Sequence, residues 1–185
     1  WTLPANQAVA LHPEFTYALV RSAKGLLILA DSLAEAAVQR YGSESHEILA
    51  RAPGQALEGV LLWHPFQERQ VPLILGDHVT ADAGTGAVHT APGHGLEDYV
   101  VGSRYGLKVD NPVGDDGRFY ASVPLVGGMS IWQANPLIVD TLAASGNLLA
   151  HEKLLHSYPH CWRHKTPIIF RATRQWFIGM DITPP

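Results

Sequence analysis

The pattern of apolar and polar residues predicts a chain built mainly of short strands, separated by Pro and Gly. The predicted strands are residues 9–11, 17–22, 26–29, 48–51, 59–63, 71–75, 86–90, 119–123, 148–153 and 168–172. Residues 22–25 (SAKG) predict a hairpin turn between the second and the third of these strands.

Three helices are predicted between the strands. The first begins after Asp31 or Ser32, either of which can cap it, and Glu35 completes a capping box. The others cover residues 97–105 and 136–145, the last with Asn135 as its cap. Because short strands and three helices follow one another irregularly, we expect a mainly β, α+β fold. Its core would be a closed or nearly closed β-barrel decorated by about three helices.

Length and composition set limits on the class of protein. The 185 residues fit a single domain, residues 1–185, and 46% hydrophobic residues exclude a disordered chain. No apolar run approaches the roughly 18 residues of a membrane helix, so we expect a cytosolic protein without a membrane partner. The chain begins at Trp1 and ends at Pro185, and we expect it to be a piece of a longer protein.

The charge is distributed unevenly along the chain. Residues 1–150 contain 8 Lys and Arg against 15 Asp and Glu, whereas residues 151–185 contain 5 against 2. Such a field is too weak for autonomous binding to a nucleic acid, where affinity depends on the number of phosphates neutralised. An RNA partner would therefore need contacts outside this chain.

The sequence lacks the motifs of several common catalytic and ligand-binding sites. Residues 128–132 (GMSIW) lack the last glycine of a nucleophile elbow, and residues 84–86 (GTG) do not form a phosphate loop. Cys161 lies near His160 and His164, but a structural thiol is the favoured interpretation over a thiolate–imidazole pair. Residues 151–156 (HEKLLH) miss the zinc motif H-E-x-x-H by one position, and we expect no bound metal.

Residues 84–99 contain the densest group of candidate catalytic and binding residues. A strand delivers His89 at its end, a Gly- and Pro-rich turn follows, and the first turn of the next helix holds Glu97 and Asp98. Carboxylates at a helix N-terminus are favoured by the helix dipole, so we expect them to stay ionised and able to bind a cation. The competing interpretation is a capped helix with a solvent-facing acid.

Three stretches resemble the editing domain of isoleucyl-tRNA synthetases, the large insertion in the class I catalytic core. They are residues 1–6 (WTLPAN), 76–94 (with GDHVT and GTGAVHTAPGH) and 156–173 (HSYPHCWRHKTPIIFRAT). The valyl and leucyl relatives share the domain, but they differ at residues 1–4, and the valyl enzymes carry Lys where His89 stands. The resemblance therefore favours the isoleucyl branch, with an editing domain of the valyl or leucyl relative as the alternative.

The resemblance implies hydrolysis of valine wrongly attached to tRNA(Ile), and in some accounts of valyl-adenylate, while isoleucine is too large to enter. The parent enzyme would ligate isoleucine to tRNA(Ile) with ATP. The implied partners are the 3′ end of tRNA(Ile) carrying valine and the rest of the synthetase chain. No cofactor is implied in this domain, because ATP, magnesium and zinc sites would belong to other parts of the parent enzyme.

The resemblance also implies roles for particular residues. Asp98 would anchor the α-ammonium of the substrate, and His89 would contact the terminal adenosine or the ester and help to exclude isoleucine. Thr2 would act with them at the catalytic site. The residues expected to line the pocket are Trp1, Thr90, Ala91 and Pro92.

The family's mechanism would involve attack by water without a covalent intermediate, and the sequence does not identify a general base. A run of threonines that precedes Trp1 in the family is missing here. The alternative is therefore a chain that binds the aminoacyl-adenosine end without turnover.

Overall fold

A computed structural model describes residues 1–43, 45–152 and 157–180. Within them, seven strands form two open sheets, and three α-helices pack against the rest of the chain. The strands are β1 (Ala8–Leu11), β2 (Thr16–Ser22), β3 (Gly25–Ala30), β4 (His46–Pro53), β5 (Leu61–Trp63), β6 (Gln70–Leu75) and β7 (Ala87–Thr90). The helices are α1 (Ala34–Arg40), α2 (Leu96–Arg104) and α3 (Ile131–Ala144).

The first sheet has the strand order β5-β6-β1-β7. Strand β1 runs parallel to β6 and antiparallel to β7, and β5 runs antiparallel to β6. The register between β1 and β7 pairs Val9 with His89 and Ala8 with Thr90. This pairing brings the first residues of the chain to the end of β7, where the sequence placed the candidate chemistry.

The second sheet has the order β3-β2-β4, and both of its strand pairs are antiparallel. The predicted hairpin turn is confirmed, since Ser22 pairs with Gly25. One buried cluster joins the two sheets through Leu11, Tyr17, Ala30 and Leu73. Within it the Tyr17 hydroxyl accepts a hydrogen bond from the His12 amide at 2.9 Å and donates one to the Gly86 carbonyl at 2.6 Å.

The prediction of a closed or nearly closed, mainly β barrel is wrong. In the described part of the chain both sheets keep free edges, so the fold is mixed α/β with two open sheets. No continuous strand pairing forms at three predicted strands: 119–123, 168–172 and the described part of 148–153. Only isolated β-bridges occur in this part of the described chain, such as Val113 with Phe119 and His160 with Pro167. Residues 112–128 contain two Pro and four Gly, whose turns interrupt the continuous pairing that a closing strand needs.

Each helix covers a separate apolar cluster. Helix α1 packs on the second sheet through Ala34, Ala37 and Val38, and α2 packs on the first through Val101. Helix α3 packs on the turn-rich segment of residues 113–126 and on the partly buried Trp1 and Leu3. The cluster beneath α3 therefore also holds the start of the chain through Trp1 and Leu3.

Two of the predicted helix starts differ from the structure. Helix α3 begins at Ile131, not at residue 136, because Ser130 and Gln133 form a complete capping box and Pro136 lies inside the helix. Helix α1 follows a short 3-10 helix, Asp31–Leu33, and no side chain caps it. Asp31 instead accepts a hydrogen bond from Arg51 at 2.9 Å. Among the described residues no helix is long and apolar enough to cross a membrane.

Candidate functional site

The candidate site is built around the turn of residues 91–95, between β7 and α2. Gly93 is required there, because a Cβ atom at this position would lie 2.0 Å from the carbonyl oxygen of Asp110. The Gly93 carbonyl accepts a hydrogen bond from the Ala172 amide at 2.7 Å. The turn is thus fixed between two other parts of the chain, and it sets the positions of the side chains on both of its flanks.

His89 is tied to the N-terminal segment through both of its ring nitrogens. Its Nδ1 lies 2.6 Å from Asn6 Nδ2, and its Nε2 lies 3.1 Å from Thr2 Oγ1. Asn6 Nδ2 also donates to the Ala8 carbonyl at 2.9 Å, which fixes the orientation of the amide because a carbonyl only accepts. Asn6 therefore donates to His89 Nδ1, and the proton of the neutral ring is on Nε2.

The protonation state of His89 follows from its surroundings. Burial is the main cause that lowers the pKa of His89 to about 4, and a positive charge on the nearby imidazole of His64 or His94 would act in the same direction. At neutral pH the ring is uncharged, so its Nε2–H donates to the Thr2 hydroxyl. The Thr2 hydroxyl is then left to donate its own proton to a further acceptor.

Asp98 lies in the first turn of α2 and is half-buried. Its Oδ2 accepts a hydrogen bond from the Ala91 amide at 2.8 Å, and among the described residues Oδ1 accepts none. Burial raises the pKa of Asp98 above its ordinary value, while the Ala91 amide and the imidazole of His78 oppose that rise. One oxygen of the carboxylate thus holds the turn, and the other remains for a ligand.

Trp1 closes another side of the site. Its indole meets the imidazole of His94 edge-on, with 4.9 Å between ring centroids and an interplanar angle of 77°. His94 is buried, its Nδ1 lies 3.1 Å from the Phe170 carbonyl, and burial lowers its pKa. The dipeptide Trp1–Thr2 therefore contacts both His94 and His89.

The three residues predicted to line the pocket after His89 lie in the interior. Thr90 and Ala91 are 0% and 1% exposed, and Pro92 is also buried. Pro92 packs closely on Gly102 of α2, where an added Cβ would lie 2.6 Å from Pro92 Cγ. These residues fix the strand and the turn relative to α2, while Trp1, Thr2, His89 and Asp98 carry the polar and aromatic contacts described above.

A second set of side chains holds the N-terminal 3-10 helix, Leu3–Ala5. The Leu3 carbonyl accepts a hydrogen bond from His64 Nε2 at 3.0 Å, and His64 Nδ1 accepts from the backbone amides of Phe66 and Gln67. Arg69 donates to the Asn6 carbonyl at 2.5 Å. Because Asn6 orients His89, these contacts stabilise the geometry of the imidazole indirectly.

Two grooves lie beside the site turn. One has a volume of about 890 Å³ and the other about 580 Å³, and they share Asn111 and Tyr120 in their linings. Their cationic lining residues are Arg171 and Arg174 in the larger groove, and Arg69 and Lys108 in the smaller one. Thr2, His89 and Asp98 line neither groove. Asn111 Nδ2 donates to the Ala172 carbonyl at 2.7 Å, which links the grooves to the segment that holds the turn.

Cys161 and His164 form a separate pair. The Sγ atom lies 3.4 Å from His164 Nδ1, and the His164 amide also donates to the sulfur at 3.5 Å. His160 is directed away, since its Nδ1 lies 2.8 Å from the Tyr158 carbonyl. His156 lies outside the described residues. Across the described ranges, no three His, Cys, Asp or Glu side chains come together in a way that suits a metal ion.

Sequence reasoning missed three residues of the site: Asn6, His64 and His94. Asn6 and His94 stand inside the stretches that carry the resemblance, but nothing in their spacing distinguishes an orienting amide or a buried imidazole from an ordinary loop residue. His64 lies outside those stretches, and its role depends on folding of residues 64–69 against Leu3. Each of these contacts joins residues far apart in the chain.

Comparisons with known proteins agree on one kind of domain. A family model described as "Leucyl-tRNA synthetase, editing domain" matches residues 32–124. The chain is 84% identical over 182 residues to the isoleucine–tRNA ligase of Thiobacillus denitrificans, covering 98% of this chain and 20% of that protein. It is 62% identical over 181 residues to that of Thioalkalivibrio sulfidiphilus, covering 98% and 19%. The chain thus spans about 20% of the length of these relatives.

Proposed function

We propose that this chain, which belongs to the leucyl-tRNA synthetase editing-domain family, hydrolyses the ester that joins valine to tRNA(Ile). The high identity to isoleucine–tRNA ligases confirms the resemblance to the isoleucyl branch. We further propose that the chain works in the cytoplasm as part of a longer ligase. The observation that carries the proposal is the half-buried Asp98 carboxylate, with one oxygen bound to the Ala91 amide and the other without a hydrogen bond from any described residue.

The α-ammonium group of an aminoacyl ester suits Asp98. Ionised carboxylates form short, strong hydrogen bonds with ammonium groups, and they do so best where water is partly excluded. Burial raises the pKa of Asp98 when no ligand is present, and a bound cation would lower it again. The site therefore favours a substrate with a free amino group over a neutral ester.

The reacting carbonyl would lie near Thr2. Because His89 donates to the Thr2 hydroxyl, that hydroxyl can donate its own proton to the ester carbonyl or to the attacking water. His89 itself has no free lone pair, since its Nδ1 accepts from Asn6. We therefore assign His89 to the positioning of Thr2. Water attack on the carbonyl carbon then releases valine and leaves the ribose hydroxyl on the tRNA.

The two grooves beside the turn suit the rest of the tRNA end. Arg69 and Lys108 supply positive charge and Tyr120, 52% exposed, supplies an aromatic face in the smaller groove. Single-stranded nucleic acids bind to this combination through phosphate contacts and base stacking. Since the chain as a whole carries a net charge of −4, we expect most of the affinity for tRNA to come from the longer ligase.

The variant Asp98→Asn, made in the full-length ligase, tests the proposal. Asparagine keeps an oxygen that can accept from the Ala91 amide but removes the charge that holds the ammonium. We expect deacylation of Val-tRNA(Ile) to fall about 10- to 100-fold, because hydrogen bonds to charged groups contribute about 1.5–3 kcal/mol. Release of labelled valine over time measures the rate.

Glu97→Gln is the matched control, since Glu97 is the neighbouring carboxylate in the same helical turn and is exposed. It should deacylate at the rate of the unmodified enzyme. An equal effect of both substitutions would show that general negative charge matters, not the Asp98 contact. If the unmodified enzyme binds a non-hydrolysable valyl-adenosine analogue but releases no valine, the chain is a binding module.

A further inference from the structure

Arg69 is a half-buried arginine that forms no ion pair within the described part of the chain. It lies immediately before β6, at the end of the loop that follows β5. The other described arginines without an ion pair, Arg118, Arg163 and Arg174, are all exposed. A charge that is partly withdrawn from water is stabilised by a partner of opposite sign. Arg69 therefore offers an anion a stronger contact than an exposed arginine would.

Two nitrogens of the Arg69 guanidinium hold the N-terminal segment. Nη2 donates to the Asn6 carbonyl at 2.5 Å, and Nε donates to Gln67 Oε1 at 2.7 Å. The Gln67 side chain in turn donates to the Pro4 carbonyl at 3.3 Å. The side chain of Asn6 is the group that donates to His89 Nδ1. A single residue, Asn6, therefore connects Arg69 to the imidazole of the site.

The third nitrogen of the guanidinium, Nη1, is not used by these contacts. Neither of its N–H groups donates to a described residue, whereas Nε and Nη2 both do. The Arg69 side chain also lines the smaller groove, together with Pro4 and Gln7, which lie on either side of Asn6. The residue that holds the N-terminal segment is therefore also part of the groove beside that segment.

The smaller groove carries one net positive charge, because its charged lining residues are Arg69, Lys108 and Asp110. Its volume of about 580 Å³ is within the usual range of ligand sites. Burial lowers the pKa of Arg69, the charge of Asp110 opposes this, and an arginine stays protonated at neutral pH in either case. The groove can thus balance the single negative charge of one phosphodiester.

We propose that Arg69 binds a phosphodiester of the tRNA 3′ strand through Nη1 and, through Nε and Nη2, positions Asn6 and with it His89. The inference rests on the proposed function, to which it adds a residue that acts on both RNA binding and rate. The N–H groups of a guanidinium belong to one rigid plane, so a phosphate on Nη1 holds Nη2 on the Asn6 carbonyl. Binding of the RNA strand therefore favours the arrangement in which His89 donates to Thr2.

The variant Arg69→Met in the full-length ligase tests both parts of the proposal. Methionine keeps the apolar stem but has no N–H group for the Asn6 carbonyl or for a phosphate. In single-turnover deacylation, the half-saturating concentration of Val-tRNA(Ile) should rise and the maximal rate should fall, each about 10-fold, as expected for a lost hydrogen bond to a charged group. The logarithmic salt dependence of half-saturation should become shallower by about 0.7, the value for one phosphate of a single strand. The affinity for a non-hydrolysable valyl-adenosine analogue without phosphate should be unchanged.

Arg69→Lys separates the two roles. A lysine ammonium can pair with the phosphate, but it lacks the planar fork that reaches Gln67 and the Asn6 carbonyl at the same time. We expect the half-saturating concentration of the unmodified enzyme together with the low maximal rate of Arg69→Met. Arg118→Met is the matched control, since Arg118 also donates to a backbone carbonyl, that of Gly128 at 3.1 Å, and lines neither groove. It should keep both values of the unmodified enzyme.

An unchanged half-saturating concentration and salt dependence in Arg69→Met would overturn the phosphate contact. An unchanged maximal rate in both Arg69 variants would overturn the positioning role. Loss of analogue binding in these variants would show a purely structural role and overturn the proposal as a whole. If Arg69→Met does not fold, Arg69→Gln, which is polar and uncharged, takes its place in the same measurements. If the unmodified enzyme releases no valine, the proposed function itself falls.

Discussion

At the scale of single residues, hydrogen-bond partners decide what each histidine can do. The Ala8 carbonyl fixes the Asn6 amide, Asn6 fixes the tautomer of His89, and His89 in turn fixes the direction of the Thr2 hydroxyl. Each step follows from the rule that a carbonyl accepts and an amide nitrogen donates. His89 is therefore a donor at the site and not a base.

The variant His89→Ala tests the size selection that the resemblance implies. Removing the imidazole opens space near Thr2 and frees its hydroxyl, so hydrolysis of Val-tRNA(Ile) should slow modestly. Ile-tRNA(Ile), excluded before, should begin to be hydrolysed, with a loss of discrimination of about 1–3 kcal/mol, the contribution of one methylene. Both esters are measured on the same preparation.

His12→Ala serves as the control, since the His12 ring stacks on Phe15 at 4.0 Å and makes no contact with Thr2 or Asn6. Its ratio of valine to isoleucine hydrolysis should equal that of the unmodified enzyme. The same ratio in His89→Ala would remove His89 from the selection of substrate size.

At the scale of secondary-structure elements, the residue at which a helix begins depends on which polar side chain is free to accept a hydrogen bond from the first backbone amides of the helix. Helix α3 has a complete capping box, in which Ser130 accepts from the Gln133 amide and Gln133 accepts from the Ser130 amide. This box fixes the start of the helix even though Pro136 removes one backbone donor five residues later. In α1, Asp31 bonds Arg51, and the start has no side-chain cap.

A pair of serine substitutions measures this difference. Ser130→Ala should lower the free energy of unfolding by about 1 kcal/mol, the usual cost of losing an N-cap. Ser32→Ala should leave it within about 0.5 kcal/mol, because Ser32 makes no capping hydrogen bond and is exposed. Urea unfolding followed by circular dichroism gives both values. A larger effect at Ser32 would mean that the sequence pattern, not the observed box, identifies the cap.

At the scale of the whole molecule, buried neutral histidines connect the site to stability. Burial lowers the pKa of His64, His89 and His94 below the ordinary value of 6.5. All three hold distant segments together: His64 and His89 bind residues of the N-terminal segment, and His94 lies against the Phe170 carbonyl. Protonation of these three imidazoles therefore destabilises the folded arrangement of the site.

The free energy of unfolding should fall as the pH falls from about 6.5 towards 4. In this range the unfolded chain binds protons at these imidazoles and the folded chain does not, so acid favours unfolding. With its pKa lowered to about 4, His89 alone accounts for about 3 kcal/mol, at about 1.36 kcal/mol per pKa unit. Urea unfolding at about pH 7, 5.5 and 4.5 measures the change.

The variant His89→Gln isolates the contribution of this residue. Glutamine does not titrate, so the dependence of stability on pH should become shallower by about 3 kcal/mol over the same range. An identical pH dependence in the variant and the unmodified protein would show that His89 binds its proton equally well in both states.

Local signals in the sequence were sufficient for much of the element list. The seven strands of the two sheets, the hairpin at residues 22–25 and helix α2 all lie within a few residues of their predicted positions. The serine and glutamine of the α3 capping box were also visible in the sequence, but Asn135 before Pro136 gave a competing signal. The predicted strands at 119–123 and 168–172 are wrong, as is the described part of 148–153, because an apolar run forms a strand only when a partner strand is available.

The sequence by itself determined the kind of domain, since three separated stretches resemble one family and the comparisons agree. It also identified His89 and Asp98 as candidates, because their residue types and spacing are local properties. Only the tertiary structure decided that the sheets stay open, which nitrogen of His89 carries the proton, and that Asn6, His64 and His94 join the site. Those features depend on contacts such as the 83-residue separation between Asn6 and His89, and residue spacing along the chain does not specify which distant partners meet.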